Sequence, residues 1–153
     1  ACPATGPSSQ PCDVGNGFVR RNDGYQAKNA EIQIDTSVDV TIRIGRRDLA
    51  TAATQLALHT AMVSRGGVTL SDTAPTVAER SDRLVFHRGQ IDEEITTAAA
   101  GIEQRWTFAA APAGQGDVVV QVAVDNAEAD VVVDERGFHF GHDTAGATYS
   151  HAT

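Results

Sequence analysis

The side chains with the most chemical reach are five histidines and several clustered acids. His139, His142 and His151 crowd the C-terminal stretch together with Asp143, and imidazole and carboxylate are the usual ligands of zinc. His139 alternates with Phe138 and Phe140 on a predicted strand and His142 falls in the following turn, so the spacing is not that of a preset zinc site. Asp125, Glu128, Asp130 and Asp134 flank the apolar run Val131–Val133. Hard cations want several oxygen ligands, so calcium is the candidate there, although the spacing lacks the regularity of a calcium loop. Asp125, Glu128, Asp130, Asp134, His139 and His142 therefore make up the candidate metal set. Glu93, Glu94 and Glu103 invite a hydrolase, which would need two acids held about 5–10 Å apart. Neighbours on a strand face opposite sides, so Glu93 and Glu94 cannot act together. Glu94 could lie across from Glu103 or from Arg105, and a solvated ladder of charges is the simpler reading. There is no G-x-S-x-G nucleophile context either. No catalytic residue is assigned, no cofactor is required, and the chain is not expected to be an enzyme.

The elements that must carry these residues read as strands. The organising stretch is Gly101 to Asp125: Ile102, Trp106 and Phe108 share one parity of its first arm, and Val118, Val120, Val122 and Val124 share one parity of its second. A period of two marks half-buried strands, and Pro112, Gly114 and Gly116 supply turn chemistry between them, so a hairpin is expected. From Glu31 to Ile44 the alternation is cleaner still, with Ile32, Ile34, Val38, Val40, Ile42 and Ile44 against polar neighbours. A turn near Asp35-Thr36-Ser37 makes this a second hairpin with one apolar face. Trp106, Phe108, Val120, Val122, Ile34 and Ile42 are the expected core anchors. An exposed indole at Trp106 would suit a sugar platform, but its parity beside Phe108 favours the core.

Asp48 to Arg65 is ambiguous between helix and strand, and Gln55–Ser64 is read as strand. Phe18, Val19 and Tyr25 suggest a short entry strand, and residues 66–82 read as mostly loop with a short strand at Val68–Leu70. Arg83–His87 and Gln90–Thr97 are strands around a turn at His87-Arg88-Gly89. Val131–Val133, Phe138–Phe140 and Ala147–Ala152 complete the set. The fold class is all-β: an antiparallel β-sandwich of about nine or ten short strands with at most one short helix.

Acids outnumber bases 20 to 12, for a formal charge of −8. Nucleic acid is a poor partner because it is bound through clustered positive charge. No apolar run approaches the roughly 20 residues that span a bilayer, so no membrane insertion is expected. Cys2 and Cys12 lie in a Pro/Ser-rich segment. They are free thiols on a polar end, a small disulfide loop, or, for Cys2, a lipoprotein cleavage point, which Ala1 ahead of it fits less well. Exposed free thiols are a liability and no metal or redox motif surrounds these two, so a Cys2–Cys12 disulfide and an oxidising compartment are expected. Residues 1–16 then form a leader, and 17–153 a single domain.

The segments GIEQRWTF and DVVVQVAV around the proline/glycine turn, with LVFHRGQIDEE and LALHTAMVSRGG upstream and RGFHF and ATYSHAT downstream, resemble a domain of large secreted bacterial proteins. In that family this β-rich N-terminal domain precedes FG-GAP or VCBS-type β-propeller repeats. The resemblance covers roughly residues 50–153. It implies a secreted or cell-surface module with no catalytic signature to carry over. Relatives would continue beyond Thr153, so the expectation is a fragment or a last sheet completed by another strand. An open sheet edge is a template for pairing, which gives the expected partner: another protein or a second copy, joined through strand edges. The leading expectation is a non-catalytic structural or adhesion module. A carbohydrate- or calcium-dependent binding domain comes second, and a hydrolase using paired acids third.

Overall fold

The computed structural model of this chain describes residues 11–45, 56–71, 74–99, 101–125, 131–140 and 147–150. Among these residues there are fifteen strands and no helix, in three antiparallel sheets. The first sheet has eight strands: β1 (Cys12–Asp13), β2 (Phe18–Arg21), β3 (Gly24–Ala27), β4 (Ile32–Asp35), β5 (Thr41–Ile44) and β6 (Leu56–Arg65) as a meander, with β7 (Val68–Thr69) and β12 (Val118–Asp125) both paired to β6. The second sheet is a four-stranded meander of β8 (Thr76–Glu79), β9 (Leu84–Arg88), β10 (Ile91–Ala98) and β11 (Gly101–Phe108). The third holds β13 (Val132–Asp134), β14 (Gly137–Phe140) and β15 (Ala147–Ser150).

The first two sheets face each other across one aliphatic and aromatic core. Phe18, Tyr25, Ile32, Ile34, Ile42 and Leu58 from the first meet Leu84, Phe86 and Ile95 from the second. Each such side chain contributes roughly 1.5–3 kcal/mol by leaving water. The Ile32 to Ile44 alternation works as expected, since Ile32 pairs with Ile44 and Ile34 with Ile42, so four apolar side chains share one face. Val38 does not join them. It sits in the connecting turn and is 89% exposed, while Val40 beside β5 is buried.

The strand expected at Gln55–Ser64 is β6, and it contains a feature that parity alone cannot show. Met62 pairs with Gln121 and Thr60 with Val122, so Ala61 is an extra residue, a β-bulge. The bulge shifts the inward parity from Leu58 and Thr60 to Val63, leaving Ala61 exposed. Residues 48–54, where the helical alternative began, lie outside the described residues.

The expected Gly101–Asp125 hairpin is corrected. Its two arms are strands, but β11 pairs with β10 and β12 pairs with β6, so they belong to opposite sheets. A two-residue turn would force the arms together. The longer run 109–117 instead spans the gap of about 10 Å between packed sheets, and each arm finds a better-matched neighbour. Arg65 anchors this arch by donating from Nε to the Gly116 carbonyl at 3.0 Å and from a terminal nitrogen to the Pro112 carbonyl. As a consequence Trp106, Phe108, Val120 and Val122 are only half-buried at the rim of the core, whereas Ile34 and Ile42 are buried at its centre.

Three further corrections concern boundaries. Thr76–Glu79, read as loop because of the preceding Pro75 and its polar neighbours, is the edge strand β8. Phe18 to Tyr25 is not one strand but the β2–β3 hairpin turning at Asn22-Asp23. Arg88 belongs to β9, paired with Ile91, and the turn is only Gly89-Gln90.

Candidate functional site

The shift of Arg88 into a strand changes its chemistry. On β10, Ile91, Glu93 and Ile95 share one parity, and all three are buried. Glu93 therefore points into the core, opposite Phe86 on one side and Trp106 on the other. Its carboxylate is fully enclosed and both oxygens are engaged: Oε2 accepts from Arg88 Nε at 3.0 Å, and Oε1 accepts from Gln104 Nε2 at 2.6 Å. Arg88, itself buried, donates its remaining arm to Asp39 at 2.7 Å, in the turn between β4 and β5. Gln104 in turn accepts from the Tyr149 hydroxyl at 3.1 Å. The thread Asp39, Arg88, Glu93, Gln104, Tyr149 thus touches all three sheets. Burial and the nearby Glu93 charge push the Tyr149 phenol upward in pKa, which keeps its donating proton in place. The indole of Trp106 donates to Thr60 at 3.2 Å, a second polar stitch between the two large sheets.

A third stitch closes the end where β8 lies over β2 and β3. Glu79 accepts from Arg20 through both oxygens, at 2.7 and 2.5 Å, and from the Tyr25 hydroxyl at 2.8 Å. The Arg20 guanidinium holds the Glu79 carboxyl below its ordinary range, outweighing burial. Burial and the Glu79 charge push Tyr25 up. Asn16 completes this end by donating to the carbonyls of Arg80 and Arg83, which fixes the turn from β8 to β9.

The acids singled out for hydrolysis are not brought together. Glu93 and Glu94 face opposite sides, as strand geometry requires. Glu94 stands opposite Arg105 and bonds Arg83 at 2.6 Å. Glu103 stands opposite Thr96 and pairs with Arg105 at 2.9 Å. With His87 on Asp92 at 2.6 Å, the outer face of the second sheet is a ladder of charges. The metal candidates are likewise dispersed. Asp125, on the first sheet, lies 3.7 Å from His59. Asp134, on the third, bonds His139 Nε2 at 2.8 Å and the Arg136 amide at 2.7 Å, contacts that hold its carboxyl well below the usual range. The other ring nitrogen of His139 meets Thr148 at 3.1 Å. Among the described residues no three His, Cys, Asp or Glu side chains converge. Glu128, Asp130 and His142 lie outside the described residues, as does Cys2. Cys12 opens β1 opposite Arg20.

The third sheet presents a different kind of surface. Val133, Phe138 and Tyr149 form one cross-strand row. Tyr149 packs against the main core, while Phe138 is 43% and Val133 59% exposed. Val132 on the other face is also exposed. The β13–β14 turn has two residues, so Asp134 and Gly137 exchange the first ladder hydrogen bonds and Val133 with Phe138 is a non-bonded pair. The amide and carbonyl of Val133 therefore point away from β14, to the side on which no described strand pairs. The sequence signal for this surface was the run of three valines bracketed by acids.

Comparison with known protein families, with curated proteins and with solved structures finds no match to this chain.

Proposed function

We propose that this chain is a non-catalytic structural or adhesion module of a secreted or cell-surface protein, and that it joins a second copy of itself by strand addition at β13. The observation that carries the reading is the exposed apolar edge of the third sheet, with Val132 and Val133 more than half exposed and the backbone of Val133 turned outward. Natural edge strands are usually blunted by lysine, proline or a bulge, and Val131–Val133 have none of these. Three other edges are guarded: β1 is two residues long and carries the Asp13–Lys28 pair, β8 follows Pro75 and carries Glu79, and β11 carries Glu103 and Arg105, whereas β12, which ends the first sheet, exposes Val118 and Val119 less than β13 exposes Val132 and Val133. The extracellular setting rests on the disulfide expected from the sequence between Cys2 and Cys12 and on the sequence resemblance to a domain of secreted β-propeller proteins. The carbohydrate-platform alternative has less support, because Trp106 commits its indole N–H to Thr60 inside the sandwich.

Val133→Pro tests the reading. Proline removes the outward amide while leaving the β13–β14 ladder bonds in place. Sedimentation velocity of the wild type is expected to show a species of twice the monomer mass that grows with concentration, and the variant is expected to stay monomeric. A wild type that remains monomeric throughout, or a variant that associates equally well, contradicts the proposal.

A further inference from the structure

The first sheet ends on β12, which pairs with β6 on one side and with no described strand on the other. Which of its backbone groups face the open side follows from the turn at the end of β6. Arg65 and Val68 close the two-residue turn Gly66-Gly67, and the Leu70 amide donates to the Val63 carbonyl at 2.8 Å. Val63 and Arg65 therefore turn their ladder groups toward β7. Their partners on β12, Val120 and Val118, make no ladder bond with β6 and point their amides and carbonyls outward. Alternation extends this outward row to Val122.

From Val118 to Val124 the strand carries no charge, no proline and no glycine. Val122 and Val124 pack against the core, and Val122 pairs with Thr60, which accepts the Trp106 indole N–H, so this face of β12 adjoins the half-buried rim of the sandwich. At the other end Val118 and Val119 are 38% and 46% exposed. An uncharged apolar ladder of this length, with no bulge of its own, is a template for a further strand.

β13 fits this template better than it fits itself. In a pair of β13 strands centred on Val133, each Asp134 stands across from the partner's Val132, and the two Asp134 carboxylates become diagonal neighbours about 7–8 Å apart, where like charges repel. Laid antiparallel on β12 with Val133 opposite Val120, the same strand has Val132 opposite Gln121 and Asp134 opposite Val119, clear of Asp117 and Asp125. Two outward-facing residues then meet, as a ladder requires, and the Val133 side chain falls on the face of Val120 and Val122, at the rim.

Resting on the reading that copies join through β13, we propose that the acceptor is the β12 edge of the second copy, so that two different edges meet and the joint is head-to-tail. Hydrogen–deuterium exchange of the intact wild-type chain over a range of concentrations tests this. The amides of Val118, Val120 and Val133 are expected to gain protection together as concentration rises. Protection at Val133 without Val118 and Val120 overturns the β12 acceptor while leaving the joint at β13 intact, and protection at none of them overturns both. Val120→Pro and Val133→Pro, each lacking one outward amide, add a test by mixing. Each alone is expected to sediment as a monomer, and the equimolar mixture is expected to form a species of two chains, because the first variant keeps an intact β13 and the second an intact β12. A Val120→Pro chain that associates like the wild type, or a mixture of folded variants that stays monomeric, overturns the proposal. Exchange in the wild type decides the question alone should a variant fold poorly.

Discussion

The sandwich interior and the third sheet handle exposed and buried groups in opposite ways. Inside the sandwich, even a glutamate is tolerated at the centre of the core, because Arg88 and Gln104 meet both oxygens of Glu93 and Asp39 meets the arginine. On the third sheet, the Val132 and Val133 side chains are more than half exposed and a strand edge is left without a described partner. The contrast separates stability from contact. The two large sheets are stitched to each other by polar contacts, and the small sheet is tied to them through the Tyr149 hydroxyl on Gln104.

The comparison is broken most severely by removing one half of the buried ion pair. Arg88→Ala would strand the Glu93 carboxylate in the core, and such losses cost about 3–5 kcal/mol. Denaturant unfolding is expected to show that loss, whereas the double variant Arg88→Met with Glu93→Leu should recover most of it, since an apolar pair of similar volume needs no partners. If Arg88→Ala unfolds at the wild-type midpoint, the thread across the three sheets is not what holds them.

A smaller effect sharpens the comparison through pH. The folded-state pKa of Glu79 is depressed by Arg20, so its stabilising contribution is complete above the ordinary glutamate value of 4.5 and disappears as pH falls below it. In Glu79→Gln the wild-type advantage is therefore expected to be constant near neutral pH and to shrink on acidification from about 4.5 downward. A stability gap that does not narrow on acidification would mean that the Arg20–Tyr25–Glu79 stitch contributes nothing. Asp134 on the third sheet is also held low, by His139, but its side chain is about a third exposed, so salt screens part of its contribution.

Much of the architecture could be read from alternation. The Ile32 to Ile44 hairpin, the β9–β10 pair and the all-β class follow from a period of two, which depends only on local backbone geometry. What could not be read depends on residues distant in sequence. Nothing local says that β11 prefers β10 and β12 prefers β6, so the arch looked like a hairpin. The bulge at Ala61 reverses a parity that the residues on either side seem to continue. The central glutamate, by contrast, was legible: in Ile91-Asp92-Glu93-Glu94-Ile95 the same alternation that buries the isoleucines buries Glu93, and Arg88 was hidden only because it borders a glycine turn.

Hydrogen–deuterium exchange followed over a range of protein concentrations tests the division between a closed sandwich and an open edge most directly. Exchange at β13 is expected to be fast in dilute solution and to slow as concentration rises, while the edge strands β1 and β8 exchange at rates independent of concentration. Concentration-dependent protection that spares β13, or that arises at β1 or β8 instead, would contradict the account.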